Sequence, residues 1–102
     1  MFHLWHQNHD GMTGHVFLLE QQMRELRAEM VEQRMVCGPE GGRGIPLYKL
    51  ETPKNWYVSP IEVDEALEVA ASEPTTMTDS VLWADFLEFL RGAAERGGMR
   101  VR

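Results

Sequence analysis

Cysteine and long hydrophobic runs are scarce in this sequence. Its 102 residues include one cysteine, Cys37, so no disulfide can form within the chain and a reducing compartment is favoured. No stretch approaches the roughly 20 consecutive apolar residues of a transmembrane helix, and the first residues lack the charged-then-apolar pattern of a signal peptide. We therefore expect a cytoplasmic protein that does not associate with membranes.

The remaining composition is that of an ordinary globular protein. Hydrophobic residues make up 43% of the chain and charged residues 25%, which argues against a disordered chain. A chain of 102 residues has enough surface to bury for one modest core and not for two. We expect a single domain over residues 1–102, with residues 1–12 loosely ordered and residues 97–102 forming a frayed basic tail.

Basic residues are absent from the segment between Asn55 and Leu90. That segment contains eight acidic residues and no lysine or arginine, so its net charge is −8. The rest of the chain holds all ten lysines and arginines and the other eight acids, which leaves it at +2 and the whole chain at −6. This balance excludes a generally basic nucleic-acid coat protein and indicates an acidic C-terminal half.

The apolar pattern predicts a long N-terminal helix from Thr13 to about Gln33. Five apolar residues recur at spacings of three and four and form one stripe, which is typical of an amphipathic helix. These residues are Val16, Leu19, Met23, Leu26 and Met30. The stripe either packs on the protein's own core or forms the seam of a parallel homodimer, because the same spacing fits a short heptad pattern.

Glycine and proline separate this helix from a predicted small sheet. The glycine-rich segment 38–44 indicates a loop, and Ile45–Glu51 and Trp56–Val58 read as strands. Residues around Met35–Cys37 are a further candidate to pair with the Ile45 strand, so we expect an antiparallel hairpin or meander of two or three strands. Two helices follow, one capped by Ser59 and Glu62 and one starting at Asp79 or Ser80. The predicted fold class is therefore α+β: a long N-terminal helix, a small antiparallel β-hairpin or meander, and two C-terminal helices.

The acidic helices predict a small non-catalytic binding protein, such as an adaptor, inhibitor or regulatory subunit. It contacts a protein partner with a basic surface, and mimicry of nucleic acid, as in phage-type inhibitors, is one form of this function. The predicted acidic contacts are Glu62, Asp64, Glu65, Glu68, Asp85 and Glu88. The predicted apolar anchors are Trp56, Trp83 and Phe86. The apolar last helix is a second surface through which a homodimer can form.

A second interpretation is a DNA-binding transcriptional regulator. The helix end Met30–Val36, the glycine–arginine turn and the segment Ile45–Leu50 resemble the latter half of a winged helix. That resemblance implies a recognition helix over residues 16–33, a hairpin wing over residues 34–51 and contacts to nucleic acid. The implied contacts are Arg27, Arg34, Arg43 and Lys49.

The sequence contains no convincing catalytic or cofactor motif. Cys37 has no histidine near it in sequence, and the glycine-rich segment lacks the Gly-Lys-Ser/Thr ending of a phosphate-binding loop. His6, His9 and Asp10 would share one face of a helix and are weak candidates for a metal site. We expect neither enzymatic activity nor a cofactor.

Overall fold

A four-stranded antiparallel sheet joins the two ends of the chain. In the computed structural model, which describes residues 2–7, 13–70, 77 and 79–102, strands β1 (Phe2–Gln7) and β2 (Thr13–Leu18) form one side of the sheet. Strands β5 (Trp56–Val58) and β6 (Met99–Val101) form the other, and the strand order is β2-β1-β6-β5. The sheet thus brings together residues 2–7, 13–18, 56–58 and 99–101.

The described residues also form four helices and a pair of two-residue strands. The helices are α1 (Glu20–Glu32), α2 (Tyr48–Glu51), α3 (Pro60–Ala70) and α4 (Ser80–Glu95). The strands β3 (Val36–Cys37) and β4 (Ile45–Pro46) pair in parallel. The mixed α+β class is confirmed. None of the helices in the described ranges has the length and apolarity needed to cross a membrane.

The predicted start of the long N-terminal helix is wrong, because residues 13–18 form a strand. Alternate residues of β1 and β2 face the core, and Phe2 pairs with Leu18 while Leu4 pairs with Val16. Val16 fits the helical stripe by its spacing. Val16 and Leu18 also lie on the core side with the exposed Phe17 between them, which is the two-residue period of a strand. The helix begins only at Glu20, and Leu19 is 51% exposed at its N-cap.

The predictions for the two chain ends are wrong for residues 2–7 and 99–101, and residues 1 and 8–12 lie outside the described residues. Residues 2–7 are the second strand of the sheet rather than a loose segment, and β6 is its third strand rather than a frayed tail. The backbone N–H of His3 donates to the Arg102 carbonyl at 2.7 Å, and that of Arg102 donates to the His3 carbonyl at 2.8 Å. Met99 and Val101 are buried, so the basic residue between them points to the opposite face.

The inner face of the sheet packs against the helices. The apolar sides of α1 and α4, which were predicted as dimer surfaces, are buried in this core. In α1, Met23, Leu26 and Met30 are fully buried in the protein's own core. The apolar side of α4 is buried there as well, through Phe89 and Leu90 among others. The central residues of the predicted stripe and the apolar side of the last helix therefore pack within the protein itself.

The predicted starts of the two C-terminal helices are confirmed. Before α3, the Ser59 backbone N–H donates to Glu62 Oε1 at 2.9 Å and the Glu62 N–H donates to Ser59 Oγ at 3.3 Å, which is the expected capping box. Before α4, Asp79 Oδ1 accepts from the Leu82 N–H at 3.0 Å. The strand predicted over Ile45–Glu51 is wrong beyond Pro46, because α2 begins at Tyr48.

A buried histidine connects the sheet to α4. His6 faces the core from β1, and its ring centroid lies 4.8 Å from that of Phe89. A Cβ on Gly14 would overlap the His6 ring, and a Cβ on Gly92 would lie 3.0 Å from His6 Nε2. The two glycines therefore leave the volume that the imidazole fills between β2 and α4.

We expect Gly14→Ala to destabilise the protein by about 1–3 kcal/mol, because the added methyl group displaces the His6 ring from a packed site. Gly38→Ala is the matched control, since no atom lies within 4 Å of a Cβ at that position. The measurement is the free energy of unfolding in urea. Equal stability of the two variants would contradict the packing role of His6.

Candidate functional site

The outward face of the sheet carries aromatic and basic side chains. Because the strands pair in register, His15, Trp5, Arg100 and Tyr57 form one row across β2, β1, β6 and β5. A second row begins with the pair Phe17 and His3. We define the open sheet face as the outward residues His3, Trp5, His15, Phe17, Tyr57 and Arg100, with the adjoining Asn55 and Arg102.

The aromatic half of the open sheet face is a set of contacting rings. The Trp5 and His15 rings stack with centroids 4.0 Å apart and an interplanar angle of 17°. His3 Nδ1 lies 3.1 Å from His15 Nε2, and Phe17 contacts His3 edge to face with 4.6 Å between centroids. Phe17 is nonetheless 47% exposed.

The basic half is held in place by Asn55. The Asn55 carbonyl accepts from Arg100 Nη1 at 3.3 Å, and its side-chain Oδ1 accepts from Arg102 Nε at 3.0 Å. Asn55 has φ of 60°, a left-handed conformation that asparagine tolerates better than most residues. The Arg100 guanidinium also lies over the Tyr57 ring, 5.1 Å from its centroid. Both arginines are thus partly ordered before any partner binds.

A hollow of about 460 Å³ lies between the two halves. Its walls include Trp5 from β1, Tyr57 from β5 and the turn from Arg96 to Gly98 that leads into β6. The Tyr57 hydroxyl donates to the Gly97 carbonyl at 2.8 Å, which fixes that turn against β5. Arg96, Arg100 and Arg102 line the hollow and supply three positive charges. None of the outward strand positions in the described ranges is acidic.

Glu62, the first of the predicted acidic contacts, is engaged within the protein. Its carboxylate accepts from Lys49 Nζ at 3.1 Å and from the Ser59 backbone N–H at 2.9 Å. Burial by itself raises the pKa of Glu62, but these hydrogen bonds outweigh it and hold the pKa below its ordinary value of 4.5. Glu62 therefore stabilises the junction of α2, β5 and α3.

Two more of the predicted acids hold the loop before β4. Glu65 Oε2 accepts from the Gly44 backbone N–H at 3.0 Å, and Glu68 Oε2 accepts from Arg43 Nη2 at 2.7 Å. In α4, Glu88 pairs with Arg91 at 3.0 Å, while Asp64 and Asp85 are exposed. The −8 of the C-terminal half is thus partly neutralised by bases from the other half of the chain.

The predicted apolar anchors lie mainly in the core. Trp83 is 4% exposed and Phe86 is 1% exposed, so neither reaches the surface of this fold, contrary to the prediction. Trp56 is half-buried, and its ring contacts Tyr48 edge to face with 5.1 Å between centroids. The exposed aromatic residues of the sheet, Phe17 and Tyr57, were not among the predicted anchors.

The recognition helix and the hairpin wing that the resemblance implies do not form a winged helix in this structure. β3 and β4 are parallel rather than a hairpin, and residues 13–18 of the supposed recognition segment lie in the sheet. Arg27 Nη1 donates to the Leu50 carbonyl at 2.8 Å, Arg43 pairs with Glu68, and Lys49 pairs with Glu62. Arg34, the fourth predicted contact, is exposed and has no such bond to any residue in the described part of the chain.

The residues considered for metal binding or catalysis are not assembled by the described chain. His6 is buried against Phe89, and His9 and Asp10 lie outside the described residues. No group of three or more potential metal ligands occurs within residues 2–7, 13–70, 77 and 79–102. Burial and the nearby Glu62 and Glu65 raise the pKa of the Cys37 thiol, which disfavours its nucleophilic thiolate form.

Comparisons with family models, curated proteins and solved structures found no match to this chain. The functional interpretation therefore rests on the geometry of the open sheet face.

The sequence contains strand patterns that indicate this surface, but the prediction of one long N-terminal helix did not use them. Phe2, Leu4 and His6 alternate with His3 and Trp5, and the Asp10–Gly11 pair that follows is typical of a hairpin turn. Arg100 likewise stands between two apolar residues, which is the pattern of a half-buried strand.

We expect Glu62→Gln to lower the stability at pH 7 by about 1–2 kcal/mol, because the bond to Lys49 loses its charge. A carboxylate whose pKa is depressed by folding stabilises above the unfolded pKa and loses that effect as the pH falls through the folded value. The variant should therefore lose less stability than the wild type below pH 4.5. Urea unfolding at pH 7 and at lower pH measures both effects.

Glu68→Gln is the control for this experiment. Its ion pair with Arg43 is exposed on both sides, so its loss costs less than about 1 kcal/mol. An equal loss of stability in the two variants at pH 7 would show that Glu62 has no special role.

Proposed function

We propose that this chain is a small non-catalytic binding protein whose contact surface is the open sheet face. The observation that carries the proposal is the row His15, Trp5, Arg100 and Tyr57, which places stacked rings and a positive charge side by side on one sheet. Antiparallel sheets commonly place polar residues on the face away from the core. Here exposed aromatic residues take that position.

The composition of the open sheet face supports a binding role. Aromatic residues and arginine are enriched in protein contact surfaces because they bury a large area and form directed bonds. Tyr57 is 44% exposed although its hydroxyl and ring already have intramolecular partners. Such a side chain is pre-ordered, so little conformational entropy is lost when a partner covers it.

The acidic C-terminal half is the second candidate surface. Asp64 and Asp85 are exposed and make no ion pair with any described residue, so they are available to a partner with a basic surface. An adaptor or inhibitor that mimics nucleic acid would use them. We rank this surface second because Glu62, Glu65 and Glu68 already have partners within the chain.

Site-specific photo-crosslinking in native lysate tests which surface is used. We expect p-benzoylphenylalanine at position 17, on the open sheet face, to give an adduct. The control is the same amino acid at position 81, where Val81 is 69% exposed on α4. Adducts from position 64 and none from position 17 would contradict the proposal and favour the acidic half. Equal adducts from positions 17 and 81 would show that the contacts are non-specific.

A further inference from the structure

We propose that the open sheet face binds single-stranded nucleic acid, with one base inserted into the hollow between Trp5 and Tyr57. Arg96, Arg100 and Arg102 hold the neighbouring phosphates. The inference rests on the proposed function, because it assigns a chemical class to the partner of the same surface. Three features of the site carry it: the open volume of the hollow, the planar groups that line it and its charge.

The hollow has open space beside the Arg100 side chain. Trp5 and Tyr57 project from β1 and β5, which lie on either side of β6. Arg100 projects from β6 between them, and its guanidinium lies over the Tyr57 ring. The volume of about 460 Å³ is open with this side chain in place, so a base enters between Trp5 and the Arg100 guanidinium.

One face of Trp5 is directed into the hollow. His15 lies on β2 and stacks on Trp5 from that side, at 4.0 Å between centroids. The opposite ring face is turned toward β6 and the hollow that Trp5 lines. On the far side, the Arg100 guanidinium lies over Tyr57 and offers a second planar group. Bases stack on aromatic rings and on guanidinium planes, and they do so with little dependence on sequence.

The charge around the hollow suits a phosphate backbone. Three arginines line it and the outward strand positions in the described ranges include no acid, although the whole chain carries −6. Asn55 fixes the side chains of Arg100 and Arg102 through its carbonyl and its Oδ1. Preorganised arginines gain more from each phosphate contact because less side-chain entropy is lost.

A single strand fits these features better than a duplex or an acidic peptide. In a duplex the bases are stacked and paired, so none can enter the hollow without being extruded at a cost of a few kcal/mol. An acidic peptide would satisfy the arginines but would leave the Trp5 ring face without a planar partner. Base insertion uses both the rings and the charge.

Fluorescence anisotropy with labelled 12-nucleotide DNA and RNA tests the proposal. We expect the wild-type protein to bind single strands in 50 mM salt at least tenfold more tightly than a duplex of the same sequence. A strand of the same length made of abasic residues keeps the phosphates and lacks the bases. We expect it to bind at least tenfold more weakly, and this comparison needs no variant of the protein.

Three substitutions locate the site. Trp5→Leu should weaken binding about tenfold or more, and Arg102→Gln should reduce the slope of log Kd against log salt concentration by about 0.7. Asn55→Gly retains the left-handed backbone and the carbonyl bond to Arg100 and removes the bond to Arg102, so it should weaken binding about two- to fivefold. Val81→Ser on α4 is the control and should bind like the wild type.

The outcomes separate this inference from the proposed function. No binding of single strands, equal binding of the abasic strand, or unchanged binding by Trp5→Leu would overturn the inference. Position-17 crosslinks to a protein, without binding of single strands, would leave the proposed function in place and reject nucleic acid as the partner. Absence of both crosslinks and binding would reject both.

Discussion

The architecture depends on the insertion of β6 between β1 and β5. This three-residue strand pairs antiparallel with both neighbours and joins the N-terminal hairpin to the rest of the sheet. Met99 and Val101 extend the core, and Arg100 between them completes the outward row. The turn before it requires Gly98, whose φ is +90° and whose added Cβ would collide with the Val58 carbonyl. Without β6, the rings of β1 and of β5 would belong to separate surfaces.

Strand alternation gives the two faces of this sheet different chemistry. Phe2, Leu4 and Met99 bury one face against the helices, and the opposite face carries the exposed residues His15, Phe17, Tyr57 and Arg100. The charges are divided in a corresponding way. The acids of α3 are largely paired with Lys49, Arg43 and the backbone N–H of Gly44, whereas Arg100 and Arg102 lie on the open sheet face. A chain with a net negative charge thereby presents a basic surface.

Local signals in the sequence predicted the C-terminal half of the fold and missed the sheet. The Ser59–Glu62 box, the Asp79 cap and β5 are encoded by neighbouring residues, so they could be predicted without tertiary information. β6 is stabilised by pairing with residues more than 40 positions away, and no local propensity reports that pairing. The row across the sheet combines three separate parts of the chain. It could not be predicted until the strand order was known. Of the residues predicted instead, Trp83 and Phe86 lie in the core, and Glu65 and Glu68 hold the loop before β4.

The most direct test of the account is an NMR titration of ¹⁵N-labelled protein with a single-stranded 12-nucleotide strand. The account predicts chemical-shift changes at the Trp5 indole N–H, at the Arg100 and Arg102 side chains and along the backbone of β1, β5 and β6. The backbone of α3 and the exposed surface of α4 should remain unperturbed. Changes confined to Asp64, Asp85 and their neighbours, or no changes at all, would contradict the claim that the open sheet face is the binding surface.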